Sequence, residues 1–196
     1  MRVKDENKAV AIREKAIEMI VHEGFDGLSM HKLAKAAGIS VSTIYIYFKN
    51  REDLLNQLYA YTAEMFVQET LKDFHADLDF ETGLWLQWRN RYKFILKHPM
   101  HHYFWEQLRS SPLIKKQDTT QENDFRKMMR QFVENAVAKK EIVELPTEIF
   151  WALAYGTFYT LMRFHLENAG MSGQPFSLTK DLLKTTFQQV MKALRP

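Results

Sequence analysis

No stretch of the chain alternates apolar and polar residues long enough to make a half-buried strand, and no Asn-Gly or Asp-Gly pair marks a hairpin. Apolar residues recur at three- and four-residue spacing instead, so the chain must be built by packing helices against one another. From Lys8 to His22 this spacing puts Ile12, Ala16, Ile17 and Ile20 on one face, with Gly24 placed to end the helix and Phe25 to fold back on it. Ser29 caps a second helix that carries Leu33, Ala34 and Ala37 inward until Gly38 stops it, and Ser40 caps a third over Val41 to Tyr47. Asn50 caps a fourth, with Asp53 close to the acidic position of a capping box, running to about Phe74. Further helices are expected over about Phe80–Lys97, His101–Ser110, Gln121–Lys140, Pro146–Asn168 and Ser177–Leu194, joined by the polar stretches "SSPLIKKQDTTQEND" and "GMSGQPFS". The fold class is all-α with about nine helices: a three-helix N-terminal domain over residues 1–50 and a larger helical domain over residues 51–196.

Composition closes several chemistries. The 196 residues contain no cysteine, which excludes disulfides, thiolate nucleophiles and thiolate zinc sites. Apolar runs fall far short of the roughly 18 residues of a membrane span, and the charged start "MRVKDENK" leads into no signal-peptide segment. The expected compartment is the cytoplasm, with no membrane partner. There is no Gly-rich phosphate loop, no Gly-x-Ser-x-Gly elbow and no dinucleotide fingerprint, so neither a cofactor nor catalytic residues are expected.

The net charge of +3 says little until it is placed along the chain. Residues 1–51 hold 9 Lys/Arg against 6 Asp/Glu, whereas the remainder balances at 18 each. Between Gly27 and Arg51 there is no acid at all, while Lys32, Lys35, Lys49 and Arg51 are basic, so a polyanion can approach. In the same window two short helices meet at "AGIS", the turn chemistry of a helix-turn-helix. With Ile39, Ile44 and Phe48 packed beneath, the third helix presents Ser40, Ser42, Thr43, Tyr45 and Tyr47 beside the apolar Val41 and Ile46. Hydroxyls, lysines and helix N-terminal amides suit phosphates, and small apolar groups suit thymine methyls in the major groove.

The segment "GFDGLSMHKLAKAAGISVSTIYIYFKNREDLL" resembles the N-terminal domain of the tetracycline-repressor (TetR) family of transcriptional regulators. The matching residues are Gly24-Phe25, Ser29, Leu33-Ala34, Ala37-Gly38-Ile39-Ser40, Thr43-Ile44-Tyr45, Tyr47-Phe48, Arg51 and Leu54, all within about the first 60 positions. The resemblance implies a DNA-binding head on a helical ligand-binding and dimerising body. It further implies a recognition helix with Tyr45, Tyr47, Lys49 and Arg51 near phosphates, and Ser29 or His31 contributing from the second helix. Ser42, where such proteins commonly have glycine, and Ile46, where many have a polar residue, depart from the pattern and bear on base choice.

The body is rich in rings, with seven aromatics in the 22 residues from Leu84 to Trp105. Trp85, Trp88 and Tyr92 share one helical face, and Phe125, Met128 and Met129 share another. With Phe66, Phe104 and Tyr155 they form the candidate lining of a pocket for a flat or lipophilic effector, although a helical core needs the same residue types. The helix over about Pro146–Asn168 is apolar on too many sides for one buried face. Trp151, Phe158, Met162, Phe187 and Met191 are accordingly expected at a homodimer interface, which would let two heads read an inverted repeat in double-stranded DNA. A rival reading takes His98, His101, His102 and Glu106 as the ligands of a helical metal-dependent enzyme, since His102 and Glu106 share a face; adjacent His101 and His102 diverge by about 100° on a helix, which opposes it. A third takes the aromatic faces as docking surfaces for another protein. The leading expectation is a dimeric repressor whose effector, entering among the fourth to seventh helices, shifts the fourth helix and separates the heads.

Overall fold

A computed structural model describes residues 5–109, 111 and 120–196, and all the regular secondary structure among them is helical. These residues gather into two compact units: those up to Phe66 with those from Lys97 to Thr120, and those from Val67 to Leu96 with those from Gln121 to Pro196. None of the helices described is long and apolar enough to cross a membrane.

The first unit contains α1 (Glu6–Gly27), α2 (Met30–Ala36), α3 (Val41–Tyr47), the greater part of α4 (Arg51–Thr70) and α6 (Pro99–Arg109). Asp5 caps α1 by accepting from the amides of Asn7 and Lys8, and Gly24, at φ 73°, takes the left-handed conformation that interrupts its helical path. The α2–α3 turn closes as a Schellman motif. Gly38, at φ 66°, donates to the Lys35 carbonyl at 3.2 Å, and Ile39 donates to that of Ala34 at 3.0 Å. Beneath the turn, Ile12, Ile17, Ile20, Leu33, Ile44 and Phe48 are fully buried, a burial that contributes about 2 kcal/mol or more for each large side chain.

The unit boundary does not fall at residue 50. Leu54, Leu55, Leu58 and Tyr59 of α4 and Phe104 and Leu108 of α6 belong to the same buried cluster as α1–α3, so the three-helix head is completed by two more helices. Trp105 of α6 stacks on Tyr59 at 5.5 Å and on Phe66 at 6.3 Å.

The second unit holds α5 (Phe80–Lys97, to Leu96), α7 (Thr120–Ala138), α8 (Thr147–Trp151), a π-helical turn (Ala152–Gly156), α9 (Thr157–Glu167) and α10 (Lys180–Leu194). It also receives the end of α4, which stops at Thr70 rather than near Phe74. Gln87 and Asn90 of α5 donate to the Thr70 carbonyl at 2.8 and 3.3 Å, and Asn90 also reaches Lys72, so side chains replace the next helical turn. Asp79 caps α5 by accepting from the Thr82 amide at 2.9 Å, a bond that holds its carboxyl below the usual range. Gly83 lets α5 lie against α7: a Cβ there would meet the Phe132 ring at 2.5 Å. Trp85 and Trp88 meet Phe187 edge to face, Trp88 is tilted against Phe158, and the Trp88 indole donates to the Ala154 carbonyl at 2.8 Å. The helix expected over Pro146–Asn168 is continuous, with the π turn in its middle and a left-handed Asn168 at its end. The connection expected within "SSPLIKKQDTTQEND" lies largely outside the described residues.

Candidate functional site

The exposed face of α3 is the candidate nucleic-acid surface. Tyr45 and Ile46 are 50% and 38% exposed although Ile44 and Phe48, their neighbours in sequence, are fully buried, so the helix is anchored on one side and open on the other. Ser42 is exposed, and Val41, Thr43 and Tyr47 are half-buried. At the N-terminus of α3 the Ser40 hydroxyl accepts from the Thr43 amide at 3.2 Å and lies 2.8 Å from both the Ser42 and Thr43 hydroxyls. Ser40 therefore fixes the cap and ties the neighbouring hydroxyls into a polar cluster at the positive end of the helix. Ser29 does the same for α2, accepting from the Lys32 amide at 3.2 Å. His31, Lys35 and Lys49 are exposed, and Lys32 lies 3.7 Å from Glu23 in a solvent-facing pair.

Arg51 departs from the sequence expectation. Its guanidinium turns inward, donating from Nε to the Leu28 carbonyl at 3.1 Å and from Nη2 to the Phe25 carbonyl at 2.5 Å. Those carbonyls lie where α1 ends and the chain turns into α2, where helix acceptors lose their intrahelical partners. In this structure Arg51 thus staples α4 to the α1–α2 turn. Next to it, Asn50 accepts from the Asp53 amide at 2.8 Å while Asp53 accepts from the Lys49 amide at 2.7 Å, a capping box displaced by one residue. The exchange fixes the Lys49 backbone at the end of the recognition segment.

The histidines proposed as metal ligands are used differently. His101 is buried with its Nε2 3.1 Å from Glu14 Oε1 of α1, and Tyr61 of α4 donates to the same carboxylate at 2.8 Å. Burial alone pushes Glu14 up, but the bonds from His101 and Tyr61, helped by the charges of His101 and His98, outweigh it and hold the carboxyl below its ordinary value. Burial pushes His102 down. Among the described residues no three His, Cys, Asp or Glu side chains are grouped to hold a metal ion. The metal-enzyme reading therefore has no geometric support. Glu14 and Tyr61, which sequence spacing could not connect to His101, join α1, α4 and α6 within the first unit.

The proposed pocket and dimer residues divide. Phe66 and Phe104 are accounted for in the first unit, where Phe66 stacks on Trp105 and Phe104 is fully buried in the head's core. In the second unit Trp88, Met129 and Tyr155 are buried, while Trp85, Tyr92, Phe125 and Met128 are half-buried. Of the interface candidates, Phe158, Met162, Phe187 and Met191 are buried within the single chain. Trp151 is half-buried with its ring 4.3 Å from that of Tyr155; the apolar side chains left open nearby are Ile149 of α8 and Leu182 of α10. Sequence reasoning also passed over Arg91, which is fully buried and lies with its guanidinium 4.6 Å from the Tyr155 ring centre. An arginine at a helical position shared with Gln87 and Phe94 was the available signal.

Comparison with known proteins decides the lineage. The profile described as "Bacterial regulatory proteins, tetR family" matches residues 12–58, and that described as "Tetracyclin repressor-like, C-terminal domain" matches residues 85–193. The chain belongs to the TetR family. It is accordingly a DNA-binding transcription regulator of helix-turn-helix type and not an enzyme. An HTH-type transcriptional regulator of Haemophilus influenzae is 37% identical over 81 residues, which span 41% of this chain and 43% of that protein. A TetR-family transcription regulator from Marinobacter aquaeolei shares the fold at a TM-score of 0.85 and 23% identity, over 99% of this chain and 98% of that one. The Bacillus subtilis regulator FadR, solved with stearoyl-CoA, gives a TM-score of 0.62 at 18% identity over 94% and 96% of the two chains.

Proposed function

We propose that this TetR-family regulator is a cytoplasmic, homodimeric repressor that leaves an inverted-repeat operator when a lipophilic effector binds its second unit. The observation that carries the reading is the acid-free, outward face of α3, held by a buried Ile44–Phe48 anchor and presenting Ser42, Tyr45, Ile46 and Tyr47 with Lys49 at its end. A single helix of seven residues covers few base pairs, so two copies with their recognition helices about 34 Å apart are needed to read a site of useful length. Ile149 and Leu182 on α8 and α10 are the exposed apolar positions from which such a dimer can be built. The aromatic interior of the second unit and the stearoyl-CoA complex of FadR both favour an apolar effector. Helix α4 begins in the first unit and ends in the second, and it offers a covalent route between effector and head. If effector prefers the geometry that does not fit DNA, release follows by population shift.

The test is a gel shift on inverted repeats from the DNA flanking the protein's own gene, followed by titration with acyl compounds. Binding with a steep salt dependence and loss of the shifted band on adding effector is the expected result. A protein that ignores every duplex at low ionic strength, or whose operator affinity is unmoved by every compound it binds, overturns the proposal.

A further inference from the structure

The recognition segment is held at both ends, and its rear holding point comes from α4. Within the seven residues of α3 only Ile44 is fully buried, with Phe48 just beyond the end, so the helix can tilt about this anchor unless its ends are fixed. Ser40 fixes the front. At the rear α3 lacks the left-handed residue that commonly closes a helix: Phe48 is extended at φ −129° and ψ 125°, and its amide returns to the Ile44 carbonyl at 3.0 Å. The last carbonyls of a helix need donors from outside it. Gln57 supplies one, its Nε2 donating to the Tyr47 carbonyl at 3.4 Å and to Asp53 Oδ2 at 3.1 Å. The same Asp53 oxygen accepts from the Lys49 amide at 2.7 Å. Asp53 and Gln57, four residues apart on one face of α4, therefore grip the chain on both sides of buried Phe48.

Both hydrogens of the Gln57 amide are spent on these two oxygens and the residue is half-buried, so its influence on DNA runs through Tyr47 and Lys49. Reading a base edge is the more demanding task. Short side chains such as Ser42 and Ile46 must be held to about 0.5 Å, whereas the long, flexible Lys49 still finds a phosphate when the helix tilts. We propose that Gln57, through Asp53 and the Tyr47 carbonyl, is a positioning residue for sequence discrimination: it sets the tilt of α3 that lets the helix tell one duplex from another. The inference rests on α3 being the base-reading helix, and it adds to that helix a residue of α4 that touches no base.

The test titrates the full-length protein by fluorescence anisotropy with two duplexes: one selected by the wild-type protein from a random-sequence pool, and one of the same composition with its sequence scrambled. Gln57→Met keeps the length of the side chain and deletes the donor. It is expected to lower the ratio of the two affinities about fivefold, while binding to the scrambled duplex and its salt dependence stay as in wild type. Gln57→Lys, whose ammonium can donate to the same two oxygens, is expected to recover the ratio, its added charge acting on both duplexes alike. A merely structural glutamine would lower the urea midpoint and leave the ratio of the folded protein unmoved. If Gln57→Met keeps the ratio, or weakens both duplexes equally, or is not rescued by Gln57→Lys, the positioning role is overturned. Ile46→Ala is the control for the underlying reading. A ratio that moves with Ile46→Ala but not with Gln57→Met overturns the positioning role alone; a ratio that neither change moves overturns the reading of α3 as well.

Discussion

Arg51 separates a positioning role from a phosphate-binding one, because the two make opposite forecasts. In the structure its guanidinium donates to the Leu28 carbonyl at 3.1 Å and the Phe25 carbonyl at 2.5 Å, joining α4 to the end of α1. Bonds from a charged donor are each worth roughly 1.5–3 kcal/mol, and the half-buried setting of Arg51 places the pair toward the low end, about 2–3 kcal/mol in total. Arg51→Met keeps much of the aliphatic stem and deletes the fork. With a urea m-value of about 2 kcal/mol/M, the unfolding midpoint should fall by about 1 M. The log–log salt dependence of duplex binding, measured by fluorescence anisotropy well below that midpoint, should keep its slope, since each lost phosphate contact lowers it by about 0.9. A slope reduced by one contact with an unmoved midpoint would refute the inward role and restore Arg51 to the phosphate clamp.

Lys49→Ala should weaken binding to all duplexes alike and lower the salt slope by about one contact, whereas Ile46→Ala should change the ranking of duplexes by about 1–3 kcal/mol without changing the slope; competition anisotropy reads both. Glu14→Gln should destabilise the protein near neutral pH. The folded carboxyl titrates below its unfolded value of about 4.5, so its contribution is complete above that pH and disappears as acid takes the pH through the folded value, and the melting curves of variant and wild type should converge in acid. His102 is also held down, by burial first and against the pull of Glu106, so the unfolded chain takes up its proton more readily; stability should decline as pH falls below about 6.5, and His102→Gln should flatten that decline in pH-dependent denaturation.

The head was legible in sequence because its signals are local. Ser29, Gly38, Ser40 and Asn50 act on amides and carbonyls within a few residues, and the structure uses each where spacing placed it. What could not be read depends on distant partners. Arg51 bonds carbonyls 23 and 26 residues earlier, Glu14 meets Tyr61 and His101, and α4 ends at Thr70 because α5 supplies the bonds that another turn would have made. The destination of the apolar residues on α9 and α10 was likewise not readable: Trp88 packs against Phe158 and Phe187, which are buried within one chain. Composition alone does not distinguish an interior from an interface.

The π turn at Ala152–Gly156 means that the helix carries one residue more than an even α-helical path requires. A chain shortened by one position there would form an unbroken rod, and everything downstream would swing by about 100° around its axis. Phe158 would then leave its place beside Trp88 for a neighbouring sector, and Tyr155 would lose its seat under Arg91. In this segment a change in length matters more than a change in residue type.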